Sequence, residues 1–258
     1  MIFFEFLSCK ITRWITTIKQ PRFLVNFMIN LFIKKYKINI NEASKSIDEY
    51  SCLLDFFIRI PNENARPIDK TINSFVSPVD ARISAMGTLN KNEILLVKNT
   101  PYTIEQLTGK IYQNYIDKKY IMLYLSPADF HRIYAPDTCK IIQSYEIKGR
   151  LRPVFEKSVI KHPFTFIENY RIVTEIETNN GKVLLIKVGA LNVGTIKTLY
   201  PISFDQSATQ KYNRGEEFAR FEFGSTVIML LENEKFEFDN SLKLETKIKI
   251  GERLGRSN

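Results

Sequence analysis

The sequence is poor in the residues that usually carry metal and disulfide chemistry. Its 258 residues include three cysteines and two histidines. Cys9, Cys52 and Cys139 are widely separated, and no Cys-x-x-Cys occurs. This excludes a disulfide scaffold, speaks against a zinc site and suits a reducing compartment. Long hydrophobic runs are also missing. The charge-free run Phe23–Ile33 has 11 residues and contains Asn26 and Asn30, whereas a membrane-spanning helix needs about 20 apolar residues. The N-terminus lacks the basic segment, apolar core and small-residue cleavage site of a secretory signal. No glycine-rich phosphate loop, internal repeat or low-complexity tract is evident.

What remains has globular composition, 44% hydrophobic and 25% charged, in a chain long enough to bury a full core. The net charge of +9 points to an anionic partner, either nucleic acid or an acidic membrane surface. Its placement favours the membrane. Residues 1–40 hold seven Lys or Arg against the single acid Glu5, six of the nine net charges. No nucleic-acid-binding motif accompanies them. Within this basic stretch Phe23, Leu24, Phe27, Met28, Leu31 and Phe32 form one helical stripe, with Pro21 suited to the helix start. The stripe either covers the core or, with Trp14 and the flanking lysines, lies in a membrane interface. A second helix is expected over residues 42–60, ended by Pro61.

From about residue 71 the period changes to that of strands. Strands are expected at Arg82–Met86, Glu93–Lys98, Tyr120–Leu125, Cys139–Lys148, Arg171–Thr178, Lys182–Val188, Ala219–Leu230, Lys235–Asp239 and Lys243–Ile250. Asn179-Asn180-Gly181 is a strong hairpin signal. Two glycines are expected to turn the chain tightly over Ile250–Gly255. The fold class is therefore α+β: N-terminal amphipathic helices, residues 1–66, followed by a mainly antiparallel β-barrel or sandwich body, residues 67–258.

Phe223-Gly224-Ser225-Thr226 interrupts the long strand Ala219–Leu230. A glycine inside a strand marks a bulge or a close backbone approach. One reading is a bulge followed by polar residues. The other is a self-cleaving serine, in which the Ser225 hydroxyl attacks the Gly224 carbonyl, and β-elimination leaves a pyruvoyl group that serves as an electron sink. Three further stretches are more polar than a plain β body requires. Val76–Ser84 contains Asp80 after a proline turn. Tyr124–Pro136 packs Asp129, His131, Arg132 and Tyr134 between prolines, and a histidine in a polar loop is a candidate base. Val188–Ile196 carries two glycines, which let backbones approach closely, and Asn192, a candidate to hydrogen-bond substrate or to hold a loop.

Together these stretches resemble the phosphatidylserine decarboxylase family. The matching segments are Ser77-Pro-Val-Asp-Ala81, Leu125-Ser-Pro-Ala-Asp-Phe-His-Arg132, Val188-Gly-Ala-Leu-Asn-Val-Gly194 and Phe223-Gly-Ser-Thr226, in family order. Smaller matches are Ala65-Arg-Pro-Ile-Asp69, Gly149-Arg-Leu-Arg-Pro-Val154 and Gly215-Glu-Glu-Phe218. The resemblance implies a proenzyme cut between Gly224 and Ser225 into a β chain, residues 1–224, and an α chain, residues 225–258. It implies a covalent pyruvoyl cofactor from Ser225 that forms a Schiff base with phosphatidylserine and yields phosphatidylethanolamine and CO₂. It further implies no metal, a likeness to homodimers, and N-terminal helices on an anionic membrane surface. Peripheral attachment at the cytoplasmic face of a bacterial membrane is expected, with an organellar inner membrane as the alternative. Asp80, His131 and Ser225 are the expected catalytic residues, and Tyr134 and Asn192 are substrate-site candidates. One departure bears on the chemistry: many members read His-Arg-x-His, whereas this chain reads His131-Arg-Ile-Tyr134. A phenol is a poor base at neutral pH but a possible proton donor. The alternative is an unprocessed, non-catalytic relative that binds anionic lipid.

Overall fold

The computed structural model describes residues 10–90, 94–97, 100–191, 195–202, 210–222 and 224–257. The N-terminal region is helical. Helix α1 spans residues 10–16 and α2 spans Arg22–Tyr36. Pro21 stands at the N-cap of α2, and Lys37 closes it in the left-handed conformation with its N–H on Ile33 O. Lys34 and Lys35 in the last turn suit the negative end of the helix dipole.

The apolar stripe of α2 does not simply cover the core. Val25 and Ile29 are buried, and with Ile38, Tyr50 and Phe56 they form an N-terminal cluster. Phe23, Phe27 and Leu31 are exposed at 76%, 62% and 56%, and Trp14 of α1 at 70%. The helix expected over residues 42–60 is broken into the 3₁₀ turns Ile40–Glu42 and Ile47–Glu49 and the short α3, Leu53–Phe57. Side-chain bonds restart the chain here. Ser46 N–H and Oγ both donate to Glu49 at 2.8 Å, and Ser51 N–H donates to Asp55 at 2.9 Å. Such bonds compete with continuous helix.

Among the described residues, sixteen strands and three short α-helices follow. They are β1 (Ser74–Val76), β2 (Ala81–Thr88), β3 (Ile94–Val97), β4 (Thr100–Thr103), α4 (Ile104–Thr108), β5 (Lys119–Leu125), β6 (Arg132–Tyr134) and β7 (Cys139–Ile147). Next come α5 (Glu156–Lys161), α6 (Thr165–Glu168), β8 (Arg171–Thr178), β9 (Gly181–Gly189), β10 (Ile196–Thr198) and β11 (Lys211–Tyr212). The chain ends with β12 (Glu217–Phe221), β13 (Ser225–Leu231), β14 (Phe236–Phe238), β15 (Lys247–Ile248) and β16 (Arg253–Ser257).

An antiparallel sheet of eight strands, ordered β11-β7-β8-β9-β13-β5-β2-β15, dominates. Among the described residues it is not closed on itself, so the mainly antiparallel character of the expected barrel or sandwich is seen without a closed barrel. Two three-stranded sheets, β1-β16-β14 and β10-β12-β6, lend side chains to one face. On that face Val227, Met229 and Leu231 of β13 meet Phe75, Phe218, Phe221 and Phe236. On the other, Ile228 and Leu230 meet Leu107, Tyr115 and Phe166 under the helices. Strand β13 is thus buried on both faces, which explains its continuous apolar run.

The hairpin at Asn179–Asn180 joins β8 to β9, with Thr178 opposite Gly181. Two strand expectations need correction. Ala219–Leu230 is two strands in different sheets, with the chain crossing from β12, which ends at Phe221, to β13, which starts at Ser225. Over Lys243–Ile250 only Lys247–Ile248 pairs as strand. Of the two C-terminal glycines, Gly251 has φ +82° and turns the chain, whereas Gly255 lies in β16 against Glu237 O, where an added Cβ would approach to 2.1 Å. Gly255 therefore permits close strand packing rather than a turn.

Candidate active site

Three of the sequence motifs meet on one rung of the central sheet. Ser225, the first residue of β13, pairs with Leu125 of β5 on one side and Gly189 of β9 on the other. The rung is held from below by Asn169, which is buried and donates to Gly189 O at 2.8 Å and Arg152 O at 2.8 Å. The Ser225 side chain is fully buried and its Oγ has no hydrogen-bond partner among the described residues. A buried hydroxyl without a partner costs stability, so packing does not account for it.

Gly224 is equally unforced. An added Cβ would meet nothing within 4 Å, and its φ is not among the positive values found at Gly109, Gly181, Gly215 and Gly251. Neither crowding nor backbone conformation demands glycine here. What glycine does supply is an unshielded carbonyl beside the serine. Phe223 lies outside the described residues, as does Asn192.

His131 sits beside the crossing between β12 and β13. Its carbonyl accepts from Phe221 N–H at 2.9 Å. Its imidazole is fully buried, with Nδ1 2.9 Å from Asp129 O. A carbonyl only accepts, so Nδ1 carries the proton. Burial, aided by the nearby Arg59 cation, pushes the His131 pKa down to about 3. The ring is therefore neutral at physiological pH, and Nε2, without a partner among the described residues, is a bare acceptor. A neutral imidazole with a bare Nε2 can accept a proton, but a pKa this far below neutral makes it a weak base.

Asp80 does not orient this histidine through a hydrogen bond. It accepts from Arg66 and from Ile250 N–H at 2.8 Å. Backbone carbonyl Asp129 O takes the orienting place instead. The Asp129 carboxylate itself turns to Ser126, whose N–H and Oγ both donate to it at 2.7 Å. Tyr134 lies on β6 opposite Glu217. Burial, with Glu217 and Asp80 nearby, raises its pKa, so the phenol stays protonated. A protonated phenol can donate a hydrogen bond but is no base. The sequence reading passed over Arg66, Arg59, Phe57 and Asn169. Arg66 lies in the matched segment Ala65–Asp69, which was the one available signal.

A cleft of about 490 Å³ opens next to the crossing and is lined by Gly224 and Leu125 together with Ile15, Met28, Leu31 and Phe32 of the N-terminal helices. Its volume is in the range of small-molecule sites. Lys35 is the one charged residue among its described lining. Arg13 of α1 reaches the crossing, 3.0 Å from Thr195 Oγ1 and 3.4 Å from buried Glu222. Among the described residues, no helix is long and apolar enough to cross a membrane, and no group of three metal-ligating side chains occurs.

Fold and site together set a buried serine, whose hydroxyl has no hydrogen-bond partner among the described residues, beside a mostly apolar cleft. The chain belongs to the phosphatidylserine decarboxylase family, whose sequence model matches residues 53–256. It is 33% identical over 230 residues to a phosphatidylserine decarboxylase proenzyme of Geobacillus sp. (strain WCH70), covering 88% of this chain and 86% of that one. Proenzymes of the same name from Anoxybacillus flavithermus and Myxococcus xanthus are each 34% identical, over 88% and 87% of this chain and 84% of theirs.

Proposed function

We propose that the chain cuts itself between Gly224 and Ser225 and decarboxylates phosphatidylserine to phosphatidylethanolamine. The observation that carries this reading is the unpartnered Ser225 Oγ, buried beside a glycine that packing does not require. His131 Nε2 takes the hydroxyl proton, and Oγ attacks the Gly224 carbonyl carbon. The C–N bond breaks and the nitrogen takes up the proton, leaving an ester. Loss of the Cα proton of residue 225 then expels the Gly224 carboxylate from Cβ. The dehydroalanine left behind reacts with water to give a pyruvoyl group and ammonia. The residues present fit such a group, because the rung with Leu125 and Gly189 fixes its backbone and the open space at Gly224 admits substrate. When formed, the group supplies a ketone for the substrate amine and a sink for the electron pair freed as CO₂ departs.

The chain's own residues do the rest. The cleft receives the acyl chains and excludes water. Neutral His131 moves protons at Nε2, and Tyr134 serves as a donor. Asp80 acts as a carboxylate fixed by Arg66. The exposed faces of α1 and α2, with their basic flanks, lie on an anionic bilayer as a peripheral attachment at the cytoplasmic face. On this reading residues 1–66 form the lipid-associating region, residues 67–258 form the catalytic body, and two processed protomers form a homodimer.

Intact mass under denaturing conditions tests the reading. Two fragments divided at Gly224/Ser225, the smaller one N-terminally blocked, are expected, together with CO₂ release from phosphatidylserine. A single uncut chain that binds anionic vesicles would favour a non-catalytic relative. Asp80's commitment to Arg66 and Tyr134's raised pKa are the features that point that way.

A further inference from the structure

His131 is held by a segment that precedes every strand of the body. Phe57, the last residue of α3, lies against the imidazole, with ring centroids 4.1 Å apart. Two residues on, Arg59 is 2% exposed. Its Nη2 donates to Ala128 O at 2.5 Å and lies 3.4 Å from Asp129 O, the same oxygen that accepts from His131 Nδ1. Its guanidinium is clamped between Phe56 and Phe130, 5.1 and 4.8 Å from their centroids. Between them, Ile58 O accepts from Arg132 Nε at 2.8 Å. Three consecutive residues thus grip the loop 128–132 on both sides of the histidine.

Phe57 also lines the cleft, and Phe32 of α2, another lining residue, is 6.0 Å from it. One ring therefore touches both the substrate space and the imidazole.

We propose that Phe57 and Arg59 are positioning residues for His131, fixing its tautomer and aiming Nε2, and that Phe57 transmits cleft occupancy to the base. The inference rests on His131 being the base. It assigns the N-terminal segment a part in the chemistry beyond lipid attachment. Arg59 polarises and immobilises the Asp129 carbonyl, so the ring cannot flip without losing its acceptor. Its charge also faces the imidazole. The other charged groups nearby are turned elsewhere: Asp129 to Ser126, Arg132 to Glu217, and Arg66 to Asp80.

The sequence makes the test direct, because His131 shares the chain with one other histidine, His162. In a full-length His162→Gln protein, ¹⁵N imidazole shifts report His131 alone. The expected parent spectrum is a single neutral Nδ1–H tautomer from pH 5 to 8. Arg59→Met is expected to mix the two neutral tautomers, and Arg59→Lys is expected to restore much of the parent behaviour. Phe57→Ala is expected to lower kcat at least tenfold with KM changed less than threefold, and Phe57→Tyr is expected to recover most of the loss. A parent-like single tautomer in Arg59→Met, or parent kinetics in Phe57→Ala, would overturn the proposal. Loss of folded protein alone would lower yield without changing the spectrum of what remains folded. His131→Ala separates the two readings. If it cleaves and turns over normally, the base assignment itself fails. If it is inactive while the Phe57 and Arg59 variants match the parent, only the positioning role fails.

Discussion

Arg66 grips Asp80 with two nitrogens: Nε lies 2.8 and 3.0 Å from the two carboxylate oxygens, and Nη2 lies 2.5 Å from Oδ2. Both residues are buried, and Glu42 takes a second contact to Nη2 at 2.7 Å. A fork of this kind matches a carboxylate bidentately. It also explains why Asp80 is not free to orient a histidine.

Arg66→Met leaves the Asp80 charge buried and unpaired, and is expected to cost about 3–5 kcal/mol in urea denaturation. Adding Asp80→Asn should recover most of that, since an amide oxygen still accepts from Ile250 N–H. The double variant is expected to fold yet cleave itself at least tenfold more slowly. Parent-rate cleavage there would confine Asp80 to architecture.

Gly224→Ala is expected to fold with stability within about 0.5 kcal/mol of the parent, because the added methyl enters open space and surface-like changes of this size are nearly neutral. Self-cleavage is the property that should suffer, through shielding of the carbonyl. A time course of intact mass and a melting curve read the two effects separately. A large drop in melting temperature would mean that glycine is needed for the fold after all.

The legible parts of the sequence were those with a local cause. Asn179–Asn180 announced its hairpin, Phe23–Phe32 announced a helix, and the strands around Leu123 and Ile186 announced themselves by composition. The four motifs pointed to Ser225 and His131, and the structure places Ser225 on a rung shared by three of them. What could not be read depends on partners distant in sequence. The stripe of α2 looked the same whether it faced core or lipid, and only the burial of Val25 and Ile29, outside that stripe, against Tyr50 and Phe56 showed which face of the helix is the inner one. The break between β12 and β13 was hidden because both strands are apolar. Arg59 and Asn169 act on carbonyls of other segments, and no spacing rule reveals such a contact.

The outward residues of α1 and α2 offer a separable test. Trp14→Ser with Phe27→Ser removes large side chains that are 70% and 62% exposed, so fold stability should hardly change. Each removal is expected to weaken partitioning onto anionic vesicles by about 1–2 kcal/mol, roughly tenfold apiece. Vesicle co-sedimentation measures this. Unchanged binding would detach these helices from the lipid reading.

Lys187 supplies the last test, from inside the core. It is fully buried, donates to Thr174 Oγ1 at 2.7 Å and lies 5.9 Å from the rings of Tyr200 and Phe218. Burial pushes its pKa down to about 7, whereas in the unfolded chain it is near 10.4. Between those values the unfolded state binds more protons than the folded one, so stability must rise with pH from about 7 to about 10 and level off below 7. Lys187→Met keeps the volume and removes the titration. It is expected to gain on the order of a few kcal/mol at pH 7 and to flatten the slope. The measurement is urea denaturation of both proteins at pH 7 and pH 9.5. If the stability difference between parent and variant is the same at both pH values, Lys187 does not carry this linkage. The position also bears on the site, because Lys187 pairs with Val227, two residues from Ser225 on the same strand. A variant that is more stable yet cleaves at the parent rate would place the lysine outside the chemistry.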